Sequence, residues 1–193
     1  MDHVAEVLFF LKNKILFQTE GHFIMETKEV KKGIVEDVAV ATETLFKTMV
    51  AMDLKYDSSV LAEETYIQSD ISGFVSFMGK YHGTVGIFCS KEFALKIASS
   101  MLMEEMAEVN ADVIDTVGEI ANMIAGNVKT KITEDYGEME LSVPIVMLGN
   151  GTETNEKENP LISHYTKEPW MLTNFCLDDD IFKVGLLLKE LAG

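Results

Sequence analysis

Apolar and polar residues alternate along the chain in two distinct periods, which predict helices and strands. After residue 33, helical spacing recurs in three segments, which predict the helices 34–52, 91–104 and 111–133. Ser90 is a suitable N-cap for the second of them. β-branched and aromatic runs predict five strands, namely 70–78, 82–89, 140–148, 161–177 and 181–188. This order predicts an α/β domain over 34–193, of the α+β type, with a mainly antiparallel sheet and two long helices.

The first 33 residues are predicted to lie outside that domain, as a helical extension and a connector. Residues 1–24 have apolar positions at helical spacing, and 25–33 are charged and read as a connector. An apolar-faced helix outside the main core needs a surface to pack on, and a second copy of the chain is one candidate.

A weak internal repeat indicates that the domain is duplicated. Each long helix precedes strands whose final segment contains a Val-Gly pair, in the segments 84–88 and 183–187. Aligning Glu43 with Glu119 superposes the two helices. The repeat therefore predicts two halves related by a pseudo-twofold axis.

Composition excludes several classes of protein. Hydrophobic residues make up 47% of the chain, so it can form a core, and its net charge of −16 disfavours nucleic acid and anionic membranes as partners. Two cysteines and four scattered histidines have no metal-ligand spacing, and Asp178-Asp179-Asp180 reads as a hairpin turn. Without a signal peptide or a long apolar segment, the expected location is the cytoplasm, with no cofactor or metal bound by this chain.

The helix 111–133 carries the strongest candidate site. At 100° per residue, Asp115, Glu119, Asn122 and Gly126 fall within about 60° of one another, opposite an aliphatic face. An amide can hold a water molecule through donor and acceptor together, and a carboxylate one turn away can pair with a partner's lysine. This arrangement suits a reaction that mainly needs a placed water, such as hydrolysis of an acyl phosphate.

The pattern Glu-x-x-Asn is weak evidence alone, because a second copy occurs at Glu156 to Asn159 in a polar loop. A solvated helix face is the ordinary reading of such residues. The longer pattern is more specific: it adds Asp115 before Glu119 and Pro144 twenty-two residues after Asn122. The loop copy has neither addition.

The segment Asp115-Thr-Val-Gly-Glu119-Ile-Ala-Asn122-Met-Ile-Ala-Gly126-Asn127, with Pro144 beyond it, resembles the signature of the CheC/CheX/FliY phosphatases of bacterial chemotaxis. In that family the helix inserts into the active site of a phosphorylated CheY-type response regulator. The resemblance implies that Asn122 orients the attacking water and Glu119 contacts the receiver's lysine. Asp115 and Gly126 would then support docking, Pro144 would shape the site, and Mg²⁺ would belong to the receiver.

The first helix departs from the family's doubled motif, because Phe46 stands where a second asparagine would be. One intact and one degenerate half is the CheX pattern, which implies a homodimer. Two readings from other classes stay open. The stripe formed by Asp115, Glu119, Asn122 and Gly126 could be the contact surface of a non-catalytic adaptor that docks receiver domains or flagellar switch components. Alternatively, the domain could bind a small molecule in an apolar pocket.

Overall fold

The structure is a computed structural model that describes residues 23–62, 67, 69–149 and 170–190. Three predictions lie wholly or partly outside these residues. They are the helix 1–24 up to residue 22, the polar loop 149–160 from residue 150 with its Glu-x-x-Asn copy, and the first part of the strand 161–177.

The described residues form three α-helices and one sheet of seven strands. The helices are α1 (Phe23–Leu45, extended by a π-helical turn at Phe46–Val50), α2 (Lys91–Leu102) and α3 (Ala111–Tyr136). The strands are β1 (Lys55–Ala62), β2 (Ile71–Gly79), β3 (Tyr81–Cys89), β4 (Met139–Leu141), β5 (Ile145–Leu148), β6 (Trp170–Leu177) and β7 (Asp180–Glu190). Their order is β1-β6-β7-β3-β2-β4, and β5 also pairs with β2. Every pairing is antiparallel, which confirms the predicted α/β fold.

The structure differs from the prediction in the connector, in the strand β1 and in the strand predicted at 140–148. Residues 25–33, predicted as a connector, are helical within α1, and the chain divides into two units after Gly33, the second of which contains the whole sheet. The strand β1 was not predicted, because its sequence Lys-Tyr-Asp-Ser-Ser-Val-Leu-Ala has little apolar alternation. Among the described strands it pairs with β6 alone, at one edge of the sheet. Polar side chains are acceptable there because water reaches an edge.

The strand predicted at 140–148 is broken into β4 and β5 by residues 142–144. Proline has no N–H to donate to a ladder, so Pro144 interrupts pairing and β5 begins at the next residue. Ser142 bridges the gap: its N–H donates to the Ser76 carbonyl at 2.8 Å, and its hydroxyl accepts from the Ser76 N–H at 3.0 Å.

The strand order has the twofold symmetry that a duplication predicts. If β1, β2 and β3 are exchanged for β4–β5, β6 and β7, every pairing maps onto another pairing. The axis passes between β3 and β7, where Gly86 pairs with Gly185. A Cβ at Gly86 would lie 2.8 Å from the Phe88 ring, and one at Gly185 would lie 2.7 Å from the Trp170 ring. Aromatic rings therefore cover both glycines, which leaves no room for side chains.

The main core lies between the helices and one face of the sheet. It contains the buried residues of α1 from Ile34 onward together with those of α2 and α3, packed on the inward residues of the strands. A smaller apolar cluster lies on the other face and comprises Ile67, Phe88, Trp170, Leu172 and Leu187, with Phe74 against it. None of the described helices is both long enough and apolar enough to cross a membrane.

Candidate functional site on helix α3

The orientation of α3 is determined by its buried side. Asn110 caps its first turn by accepting the Val113 N–H at 3.0 Å. The residues of the predicted aliphatic face are essentially inaccessible to solvent, and they are Val113, Val117, Ile120, Ile124 and Val128. The helix also lies very close to β2, because a Cβ at Gly73 would come within 3.1 Å of the Ala121 Cβ. Such close packing prevents α3 from rotating about its own axis.

The four residues of the candidate stripe consequently face outward. Asp115 and Glu119 are exposed, whereas Asn122 and Gly126 are half-buried. Within the described part of the chain, neither carboxylate nor the Asn122 amide has a hydrogen-bond or ion-pair partner. Added to Gly126, a Cβ would meet no atom within 4 Å, so the space above this glycine is open. The polar groups of the stripe are therefore free to contact another molecule.

Pro144 lies beside the stripe because of Gly118. A Cβ built at Gly118 would lie 3.6 Å from the Pro144 Cγ and 3.3 Å from the Val146 Cγ2. Glycine at this position lets the start of β5 approach the helix between the turns of Asp115 and Asn122. The structure thus places Pro144, which the resemblance implied as a residue that shapes the site, against α3 at Gly118. The role of Gly118 was missed, although a glycine inside an amphipathic helix is a signal of close approach.

Two exposed apolar side chains flank Pro144, and sequence reasoning did not identify them. Val143 is 78% exposed and Ile145 is 56% exposed. We refer to Val143, Pro144 and Ile145 as the apolar shoulder. On the other flank of the stripe, Met123 is partly buried against the core.

The equivalent position in the first half of the fold is closed. Phe46 is fully buried, with its ring centroid 5.0 Å from that of Phe182 and 6.3 Å from that of Phe93. The carboxylate of Glu43 is also engaged, because its Oε1 accepts the Tyr56 N–H at 2.7 Å and so holds the start of β1. At the positions equivalent to Asn122 and Glu119, the first half therefore has a buried ring and a carboxylate that already accepts a hydrogen bond.

The surroundings of the stripe are acidic. Exposed carboxylates precede the stripe in the segment between α2 and α3 and in the first turn of α3. They belong to Glu104, Glu105, Glu108 and Asp112. The described residues contain no group of three His, Cys, Asp or Glu side chains that could hold a metal ion.

The turn predicted at Asp178-Asp179-Asp180 is present, and Asp178 has a positive φ of 53°. Asp180 accepts a hydrogen bond from Lys96, and this bond raises the pKa of the lysine.

Neither cysteine belongs to the stripe. Cys89 is buried, its Sγ lies 3.8 Å from the Ile71 carbonyl, and burial raises the pKa of its thiol to about 12. A thiol with so high a pKa is not a nucleophile at neutral pH.

An open cleft of about 480 Å³ lies near the start of α2, but no stripe residue lines it. Among its lining residues are four acids, Asp70, Glu92, Asp179 and Asp180. This lining is unlike the apolar pocket that a small-molecule site would need.

The chain is similar to chemotaxis proteins. Residues 71–166 match the model of the family described as chemotaxis phosphatase CheX, and none of the curated proteins matches the chain. A putative chemotaxis protein from Desulfovibrio vulgaris Hildenborough has 25% identity and a TM-score of 0.68, with 83% of this chain and 97% of that chain covered.

Two further solved structures have the same fold. Chemotaxis protein CheX from Desulfovibrio desulfuricans has 24% identity and a TM-score of 0.70, with 81% of this chain and 99% of that chain covered. CheX in the CheX–CheY–BeF3–Mg²⁺ complex from Borrelia burgdorferi has 21% identity and a TM-score of 0.64, with coverage of 81% and 98%.

Proposed function

Since the chain is a CheX-like member of the CheC/CheX/FliY family, we propose that it is a phosphatase that hydrolyses the aspartyl phosphate of a CheY-type response regulator in chemotaxis signalling. The substrate is thus a phosphorylated receiver domain, which supplies both the phosphoaspartate and its Mg²⁺. A related CheX has been crystallised with CheY, BeF3 and Mg²⁺, which supports a partner of this kind.

One observation carries the proposal: Glu119 and Asn122 project side by side from a helix that cannot rotate, and both are free of partners within the described chain. A pair held in place by a buried aliphatic face needs little reorganisation when a substrate docks.

The chemistry follows from what each group can do. The Asn122 amide can accept one hydrogen bond and donate another, so it can orient a water without removing its proton. The water oxygen bonds to phosphorus while the bond between phosphorus and the aspartyl oxygen breaks. The products are the free carboxylate and dihydrogen phosphate, which takes both protons of the water. Glu119 pairs with the receiver's active-site lysine, and Asp115 and Gly126 support docking.

The test is the decay of an acetyl-phosphate-charged CheY-type receiver from the same genome. The wild-type protein should accelerate decay, and Asn122→Ala should lose about a hundredfold or more of kcat because the water is no longer placed. Asn127→Ala is the matched control, since Asn127 is an exposed asparagine on the same helix, away from the stripe. It should keep wild-type kinetics.

The same experiment separates a phosphatase from an adaptor. Asn122→Ala should still bind the receiver, because the lost interaction is with water. If the wild-type protein binds the receiver but never speeds its decay, the stripe is only a contact surface and the proposal is wrong.

We further propose that the protein acts in the cytoplasm as a homodimer, as the family resemblance implies. Sedimentation analysis would contradict the dimer by giving the mass of a single chain.

A further inference from the structure

We propose that the apolar shoulder of Val143, Pro144 and Ile145 is a binding element for the receiver, which sets the affinity for the phosphorylated partner and not the rate of hydrolysis. This inference rests on the proposed function and names a further part of the same docking surface. Val143 is its principal contact, because its side chain is 78% exposed although it is apolar.

The shoulder is continuous with the stripe. Pro144 packs beside Gly118, whose position in α3 lies between Asp115 and Asn122. Because Gly118 is one turn before Asn122 on α3, a receiver that brings its phosphoaspartate to Asn122 would lie beside the shoulder. Well-packed, desolvated contacts near the centre of an interface usually contribute most of the binding energy, whereas charged pairs exposed at the rim contribute little.

The shoulder is also held in one position. Ser142 and Ser76 are joined by two hydrogen bonds, of 2.8 and 3.0 Å, and the Ser142 hydroxyl lies 2.9 Å from the Val143 carbonyl. On the other side, β5 pairs with β2 from Ile145 onward. A segment fixed at both ends loses little conformational entropy when a partner covers it.

Charge favours the receiver's active-site surface as the occupant over a second copy of this chain. The surface next to the shoulder carries Asp115 and Glu119, and the whole chain has a net charge of −16. Two identical acidic surfaces would repel each other, whereas a receiver presents its active-site lysine to Glu119. The apolar contact adds affinity that does not depend on charge.

The test compares Val143→Asp with Val60→Asp. Val60 is also an exposed valine, at 49%, but it lies on β1 at the opposite edge of the sheet. For Val143→Asp we expect KM to rise about tenfold or more while kcat stays within about twofold, since burial of one valine is worth roughly that factor. Val60→Asp should change neither constant. Binding to a receiver charged with beryllofluoride and Mg²⁺ should weaken by the same factor only for Val143→Asp.

The outcomes distinguish this inference from the proposed function. If the wild-type protein is active and Val143→Asp leaves KM and affinity unchanged, the inference is overturned and the function stands. If the wild-type protein binds the charged receiver without hydrolysing it, the function fails, and a weakened Val143→Asp still supports the shoulder. Dissociation of a dimer by Val143→Asp, with receiver affinity unchanged, would assign the shoulder to a contact between copies.

Discussion

Replacing Phe46 by asparagine tests whether the first half of the fold can become a second active site. The substitution restores the pattern Glu-x-x-Asn in α1, and sequence alone suggests a gain of function. The structure predicts the opposite. Phe46 is fully buried against Phe93 and Phe182, and the Glu43 carboxylate already holds the Tyr56 N–H. An amide at this position would be enclosed in the core, out of reach of any receiver.

The cost follows from two contributions. Removing a buried phenylalanine ring costs about 3–5 kcal/mol, and an enclosed amide without partners adds about 1–3 kcal/mol, partly offset because asparagine fills some of the space. We therefore expect Phe46→Asn to lower the free energy of unfolding by about 4–6 kcal/mol. Phe46→Leu, which keeps an apolar side chain there, should cost about 1–2 kcal/mol.

Urea denaturation followed by circular dichroism measures the stability of both variants. Catalysis is measured in an Asn122→Ala background, in which a new site would be the only source of receiver dephosphorylation. We expect no recovery of activity from Phe46→Asn. Recovery of turnover, or a loss of stability below about 1 kcal/mol, would show that Phe46 is not confined in the core and would refute the reasoning.

Further predictions concern glycine and cysteine. Gly126→Ala should raise the free energy of unfolding by about 0.5–1 kcal/mol in urea denaturation, because alanine favours a helix and its Cβ would meet no atom. The same variant should raise KM for the receiver, because a methyl group then lies on the stripe. Gly73→Ala should instead destabilise by about 1–2 kcal/mol, because its Cβ would lie 3.1–3.3 Å from three neighbours; equal stability of the two variants would contradict this packing. The Cys89 thiol has a pKa of 9.0 in the unfolded chain, and burial raises this pKa to about 12 in the folded chain. The stability that this group contributes is therefore complete below pH 9.0 and falls as the pH rises toward 12. Unfolding measured against pH should show a steeper alkaline decline for the wild-type protein than for Cys89→Ala, and parallel curves would exclude the effect.

The elements with strong periodicity were predictable from sequence. The spacing over 111–133 identified α3, which extends over Ala111–Tyr136, and the runs 70–78 and 82–89 identified β2 and β3. In α3 one face is buried, and the period of apolar residues along the chain records that face directly. The same period identified the outward stripe of α3. Residues 85–89 of β3 are buried on both faces, so a continuous apolar run identified this strand.

Elements that depend on contacts with distant residues were not predictable. The polar β1 is a strand because β6 offers a free edge to pair with, and Glu43 binds its Tyr56 N–H. The approach of Pro144 to α3 depends on Gly118, and the exposure of Val143 depends on where β2 and Ser76 hold the chain. These relations join residues that are far apart in sequence, so no local pattern contains them.

The sequence by itself therefore determined the order of the main elements, the face of α3 that points to solvent and the identity of the residues on it. It did so because side-chain direction in a helix repeats locally. Only the tertiary structure decided that Phe46 is buried in the first half of the fold, that Pro144 lies against Gly118 of α3, and that the residues on both sides of Pro144 are exposed. Burial and proximity are decided by packing between separate elements, which the chain acquires only when it folds.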